Sequence, residues 1–157
     1  MPKSKKSKLR TVATFTSQAF KTVDFEDKPR FRGTFGDDVV LWLMMEMGND
    51  GVDIVPGINQ SDDGWYYVFH IGGRRYIAAV NLADPARGLW QVTLERDITG
   101  PSAWFGGRRR GVRSPAANAL HYVLQRSDKI TAVWWYIERD IRAGHEGKGA
   151  SEPLPTG

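Results

Sequence analysis

The sequence predicts an α+β domain built as a two-layer sandwich, in which two helices cover a mainly antiparallel sheet of 4–5 strands. Three observations lead to this architecture: β-rich runs that follow one another at hairpin-length spacing, two apolar segments with helical starts, and the order α-β-β-β-β-α-β. A chain of 157 residues with 41% hydrophobic residues fits one domain with its own core. We place this domain at residues 28–143.

The first helix is predicted over residues 35–47, because its first turn is acidic and favours the helix dipole. Apolar side chains occupy nearly all of its sides: Leu43 and Met47 lie on one stripe, whereas Trp42 and Met45 lie on another. A helix with this pattern is either deeply buried or covered by a partner.

Strand signals follow this helix, at residues 52–55, 65–71, 74–80 and 89–95. The two glycines at Gly72-Gly73 separate β-rich runs and predict a tight hairpin. In the last of the four strands, alternation points Trp90, Val92 and Leu94 toward the core.

The second helix is predicted to begin at Ser114, a good N-cap residue before Pro115 at the first helical position. A final strand follows at residues 130–138, with Trp134 and Trp135 on opposite faces. The layout therefore ends with one strand after the second helix.

The two ends of the chain are predicted to lie outside the domain. Residues 1–27 form a flexible basic arm: residues 1–10 are rich in Lys and Ser, and the phenylalanines of residues 11–27 match neither a helix nor a strand face. We expect this arm to pack its aromatic residues on the domain, with at most a short edge strand. Residues 144–157 are rich in Gly and Pro and are predicted to be a disordered tail.

Positive charge is concentrated near the start of the chain. The formal net charge is +4 at pH 7, but residues 1–23 hold six basic side chains and no acidic one. The remaining residues hold slightly more acidic than basic side chains. This distribution argues against a nucleic-acid binder that docks through a basic folded face.

The composition excludes several classes of protein. The chain contains no cysteine, which removes disulfides, thiolate nucleophiles and cysteine-based metal sites. The longest apolar run covers residues 39–45, far short of the roughly 20 residues that span a bilayer. We therefore expect a cytoplasmic protein with no membrane partner.

The sharpest local feature is a loop rich in Gly and Arg that leads into the second helix. The candidate binding residues are Trp104, Arg108, Arg109, Arg110 and Arg113. A helix N-terminus favours anions, and arginine donates bidentate hydrogen bonds to phosphate or carboxylate. Trp104 adds an aromatic surface that stacks on a base or anchors a protein partner. The alternative is a solvated loop whose arginines pair with acidic residues elsewhere on the domain.

No catalytic residue, metal site or cofactor is predicted. His70, His121 and His145 have no metal-ligand partner at suitable spacing. Acidic pairs such as Asp62-Asp63 fit turns and helix starts, and no Gly-x-Ser-x-Gly motif is present. We therefore expect a protein that is not an enzyme. A Mg²⁺-dependent hydrolase would need three carboxylates that the fold brings together.

Three short motifs occur in a fixed order: Asp-Asp-Gly-Trp at residues 62–65, Trp-x-Val-x-Leu at residues 90–94, and an Ile-to-Trp strand at residues 130–134. With these motifs, residues 31–135 resemble small uncharacterised bacterial α+β proteins in which an Arg-rich loop precedes a helix. The resemblance implies a bacterial origin and the layout above, and it supplies no activity. Some small proteins of this general kind act as immunity or inhibitor proteins.

Two functional hypotheses follow. The leading one is a non-enzymatic protein-binding domain of the immunity or inhibitor type, because aromatic residues and arginine are enriched at interfaces. Its partner would be another protein. The alternative is a nucleic-acid-associated protein that holds phosphates with its Lys-rich tail and residues 108–113, which predicts salt-sensitive binding.

Overall fold

The structure, a computed structural model, describes residues 8–22, 35–98, 111–144 and 146–154. Its strands are β1 Val12–Thr16, β2 Asp53–Ile54, β3 Asn59–Gln60, β4 Trp65–Ile71, β5 Arg74–Asp84, β6 Leu89–Arg96 and β7 Thr131–Tyr136. The α-helices in these ranges are α1 Asp37–Asn49, α2 Ser114–Arg126 and α3 Glu138–Arg142, followed by a 3₁₀ turn at Glu146–Lys148. No helix in the described ranges is long and apolar enough to cross a membrane.

All strands belong to one antiparallel sheet in the order β2-β4-β5-β6-β1-β7, with β3 also paired to β4. The α+β class and the mainly antiparallel sheet are therefore confirmed. The predicted count and order are wrong in detail, because the described residues contain a 7-stranded sheet and a third α-helix, and their first element is a strand. The extra elements are short, and a segment of two to five residues has too little periodicity to detect.

The largest difference concerns β1, which lies in the segment assigned to the arm at residues 1–27. β1 pairs with β6 on one side and with β7 on the other, so that Val12 lies opposite both Thr93 and Tyr136. Val12 and Phe15 are fully buried. A five-residue strand whose partners lie far along the sequence leaves no hairpin signal. The domain therefore begins before residue 28, and the predicted edge strand is an interior one.

Two very short strands line the outer edge of β4. β2 places Asp53 opposite His70, and β3 places Asn59 opposite Tyr66. The strand predicted at residues 52–55 is thus shorter than expected. Edge strands of this length offer little backbone for pairing with another chain.

β4 and β5 form the hairpin predicted at Gly72-Gly73. Ile71 lies opposite Arg74. Both glycines have positive φ angles, 60° and 74°, which the tight turn of a two-residue hairpin requires. This local turn fixes the register of the strands on either side of it.

α1 and α2 pack together on one face of the sheet and enclose the core. Trp90, Val92 and Leu94 point into this layer and are fully buried, as predicted. The Tyr67 hydroxyl donates to the Met47 sulfur at 2.9 Å. Burial raises the pKa of this phenol far above its ordinary range, so it stays protonated.

After α3 the chain returns along the outer edge of β7. Ala150 forms an antiparallel bridge with Trp135, and the Arg10 backbone N–H donates to the Pro153 carbonyl at 2.9 Å. This stretch was predicted to belong to a disordered tail at residues 144–157. Its backbone groups are instead held by β7 and by the residues that lead into β1.

Candidate functional site

The residues predicted to form a binding site are Trp104, Arg108, Arg109, Arg110 and Arg113. The first four lie outside the described residues. Arg113 is exposed and stands immediately before α2, with an extended backbone at φ −103° and ψ 156°. It occupies the N-cap position that the sequence analysis gave to Ser114, and its carbonyl accepts a hydrogen bond from the Ala116 N–H at 3.1 Å. The binding role of this loop stays a prediction.

Two of the three histidines, His70 and His121, lie in the described part of the chain, and each contacts a neighbouring side chain of the fold. His70 on β4 lies 3.9 Å from the Asp53 carboxylate. The buried Trp135 indole N–H donates to Nδ1 of His121 at 3.0 Å. Desolvation lowers the pKa of His121, which keeps its Nδ1 available as the acceptor. The third histidine, His145, lies outside the described residues.

The acidic pairs noted in the sequence occupy separate places in the fold. Asp37 and Asp38 lie in the first turn of α1, and Asp62 and Asp63 lie in the turn before β4. Among the residues that the structure describes, no group of three His, Cys, Asp or Glu side chains is arranged to hold a metal ion. The convergence that a Mg²⁺-dependent hydrolase needs is therefore not found within this part of the chain.

The outer side of α1 carries an apolar surface. Leu41 and Met45, one helical turn apart, expose 54% and 56% of their areas. The opposite side of the helix is buried, with Val39, Leu43 and Met47 fully enclosed. Core packing therefore explains only one side of the apolar circumference that the sequence predicted.

α2, which packs against α1, carries an exposed aromatic side chain and a charged one. Tyr122 exposes 64% of its area, and the guanidinium carbon of Arg126 lies 5.5 Å from the centre of its ring. Arg126 also reaches α1, where it donates to Asp50 at 2.7 Å and to Glu46 at 2.9 Å. We define the helix-face patch as Leu41, Met45, Tyr122 and Arg126.

The charge around the helix-face patch is negative. Residues 37–50 contain four acidic side chains and no basic one. Arg126 approaches two of these acidic groups from α2 through its ion pairs, and the backbone N–H of Lys21 donates to Asp38 at 2.9 Å. The helix layer thus combines an apolar surface with an excess of acidic groups.

Sequence reasoning identified only part of this surface. The apolar circumference of the first helix left deep burial and cover by a partner open. Trp42 and Met45 were assigned to the same side, but Trp42 is buried and Met45 is exposed. Tyr122 and Arg126 were not singled out, because an isolated aromatic and an arginine on a helix look like ordinary surface residues. Their spacing of four residues places the two side chains next to each other on the helix surface, and this spacing could have indicated that they form a pair.

No family model matches this chain, and no curated protein or solved structure matches it.

Proposed function

We propose that this protein is a non-enzymatic protein-binding domain of the immunity or inhibitor type, and that its partner docks on the helix-face patch. The observation that carries the proposal is the exposure of Leu41 and Met45 on a helix whose other side is core. Binding is favoured when a partner covers these neighbouring apolar side chains, because apolar surface is then removed from water.

The composition of the helix-face patch supports this proposal. Tyr and Arg are the residue types most enriched among binding hot spots, and Met adapts its shape to different partners. Arg126 is held by Asp50, Glu46 and the Tyr122 ring before any partner arrives. A side chain that is already fixed loses little conformational entropy on binding.

The surrounding charge defines the partner that fits. We expect a protein that presents apolar side chains within a rim of Lys or Arg, because such a rim complements the acidic residues of α1 and speeds association. Charge also argues against a second copy of this chain. A two-fold dimer through α1 would bring the same acidic groups of both copies together.

The test compares a double variant with a matched control. Proteins captured from host lysate are identified, purified and titrated calorimetrically against the wild type, Leu41→Glu/Met45→Glu, and Leu154→Glu, which changes another exposed leucine. We expect a complex whose Kd rises at least about 100-fold in the double variant, because two charges replace apolar contacts. Leu154→Glu should bind like the wild type. Circular dichroism verifies that each variant is folded.

Three results would contradict the proposal: an unchanged Kd in the double variant, cross-links from the partner that map to the sheet rather than to α1, or no purified protein that binds. A dimer of the wild type that the double variant dissolves would assign the helix-face patch to self-association instead. Raising the salt concentration should weaken the complex, because the expected rim contacts are ionic.

The nucleic-acid alternative is tested separately, by gel shift at low salt with duplex and single-stranded probes. A salt-sensitive shift that persists in the Leu41→Glu/Met45→Glu variant would favour the Lys-rich tail and residues 108–113 as the binding element. No shift with either probe would eliminate this alternative.

A further inference from the structure

The face of the sheet opposite α1 and α2 carries a polar groove with a volume of about 390 Å³. β5 and β6 contribute its floor, the turn before β4 forms one wall, and α3 forms another. Apart from α3, six side chains supply hydrogen-bonding groups: Ser61, Asp63, Asn81, Gln91, Thr93 and Glu95. The volume falls within the range of about 300–1,000 Å³ that is typical of small-molecule sites.

The polar lining of the groove follows from the register of the sheet. Gln91, Thr93 and Glu95 alternate along β6 with its buried apolar residues, so they point to the opposite face. Asn81 on β5 lies directly opposite Gln91, and Val12 on β1 lies opposite Thr93. Because Val12 is buried, the groove has an apolar patch beneath its polar groups, which excludes water from part of the floor.

The wall formed by α3 contains a fixed ion pair. Nη2 of Arg142 lies 2.7 Å from Oε1 of Glu138, one helical turn away. The Glu138 side chain is almost fully buried. Arg142, the arginine among the described residues that line the groove, is therefore already engaged by a carboxylate of the same wall.

The other charged residues that line the groove, Asp63 and Glu95, are acidic, and neither forms an ion pair with a base in the part of the chain that the structure describes. The Asp63 carboxylate accepts a hydrogen bond from Ser61 Oγ at 3.4 Å. Within the described residues, the Glu95 carboxylate has neither an ion-pair partner nor a side-chain hydrogen bond. A cleft lined by charges of one sign concentrates ligands of the other sign. The groove is thus locally acidic in a chain whose formal net charge is +4.

We infer that this groove binds a small polar cation that carries an ammonium or guanidinium group. Such groups are rich in N–H donors and contain no acceptor, which matches the acceptor-only carboxylates of Asp63 and Glu95. Asn81, Gln91 and Thr93 both donate and accept, and they serve the polar remainder of the ligand. An anion would be repelled, and an apolar ligand would strip water from both carboxylates without replacing it.

The groove and the helix-face patch lie on opposite sides of the domain. The inference therefore does not depend on the proposed protein partner, and either can fail without the other. It does predict that a small ligand and a protein partner can be bound at the same time.

The test is an amide NMR titration of ¹⁵N-labelled protein with agmatine, which has a guanidinium group at one end and an ammonium group at the other. We expect saturable shifts confined to β5, β6, residues 61–64, α3 and the neighbourhood of Val12. Glu95→Gln should weaken agmatine binding at least about tenfold, because a charge-assisted hydrogen bond is lost. Asp53→Asn makes the same charge change at an exposed carboxylate on β2 and should leave the affinity unchanged.

Sodium acetate and glucose test the chemical class, and neither should produce saturable shifts. Shifts with glucose that equal those with agmatine would assign the groove to neutral polyols and overturn the inference. The absence of saturable agmatine shifts would also overturn it. Equal weakening by Glu95→Gln and Asp53→Asn would show attraction by overall charge rather than a site, with the same consequence.

Discussion

The two faces of the sheet are built from the same strands and carry opposite chemistry. On the helix-covered face, Tyr67, Phe69 and Trp90 are fully buried. On the open face, Gln91 and Thr93 stay partly exposed and line a groove. In β6 the buried and the partly exposed residues alternate one by one, because successive side chains of a strand point to opposite faces of the sheet.

This contrast indicates where sequence change is tolerated. Substitutions on the helix-covered face act on packing and therefore on the free energy of unfolding. Substitutions of the partly exposed polar residues on the open face, such as Gln91 and Thr93, should act on the inferred ligand binding more than on stability. The outer side of α1 is a third surface: it belongs to an element of the core, and yet its apolar groups are exposed. The following variants test these distinctions, from the largest expected effect to the smallest.

Trp90→Ala should produce the largest loss of stability, about 3–5 kcal/mol in the free energy of unfolding, because it removes a fully buried indole. The control is a substitution at Gln91, the next residue in β6, which points to the other face of the sheet. Gln91→Ala should change the free energy by less than about 0.5 kcal/mol. Urea titration followed by circular dichroism measures both, and similar losses in the two variants would show that the open face is part of the packed core.

Gly64→Ala should destabilise the fold by about 1–3 kcal/mol, because overpacking forces the backbone to shift. A methyl group on Gly64 would fall on the Val80 carbonyl, where the turn that forms a wall of the groove crosses β5. Gly147→Ala is the matched control, since open space surrounds that position. The midpoints of urea unfolding should separate the two variants, and coincident midpoints would contradict this close approach of the backbone.

Ala132→Gly should stabilise the protein by about 1 kcal/mol, since Ala132 in β7 holds a φ of 53°, a left-handed conformation that costs L-residues free energy. The same substitution on the open face, Ala79→Gly, should instead destabilise it by about 0.5–1 kcal/mol, because Ala79 is in the interior of a regular strand. Thermal unfolding measures the two shifts. A lower melting temperature for Ala132→Gly would contradict the expected strain relief.

The smallest effect should be a pH dependence that involves His121, a residue of α2 that accepts a hydrogen bond from Trp135 in the sheet. Desolvation lowers the pKa of His121 in the folded state, and the Glu152 charge partly opposes this shift. The unfolded chain therefore binds this proton more readily. The contribution of His121 to stability is fully present above about pH 6.5 and is lost as the pH falls through the lower folded pKa.

His121→Gln should remove this part of the pH dependence, because glutamine does not titrate. Urea unfolding of both proteins between about pH 7 and pH 5 provides the measurement. If the free energy of unfolding depends on pH in the same way for the wild type and His121→Gln, protonation of other groups accounts for the whole pH dependence. Glu152→Gln should steepen the loss in the wild-type background, because it removes the charge that favours the protonated imidazole.

The sequence predicted those elements whose signals are local. Gly72-Gly73 specifies its hairpin from adjacent residues, and the alternation around Trp90 identifies the buried side of β6. β1 has no such signal: Val12 is buried because Thr93 and Tyr136 come to lie beside it, and neither partner is near it in sequence. Pairing of this kind is decided by tertiary packing rather than by local propensity.

The candidate site follows the same rule. The apolar circumference of α1 is visible in the sequence, but the pattern left deep burial and cover by a partner open, and it did not show that Met45 is exposed while Trp42 is buried. The closeness of Arg126 to Glu46 and Asp50 depends on how two helices pack, and no pattern within either helix records it. The arginine-rich loop was conspicuous because its residues are consecutive, and its binding role is still to be tested.

The interior position of β1 has a consequence for biosynthesis. A ribosome releases Val12–Thr16 long before β6 and β7 have been translated, and β1 has no other strand partner in the sheet. During that interval the nascent chain carries an apolar strand that cannot yet be paired, the kind of segment that chaperones protect. The complete sheet requires Thr131–Tyr136, and pairing between segments this far apart in sequence should make folding slow.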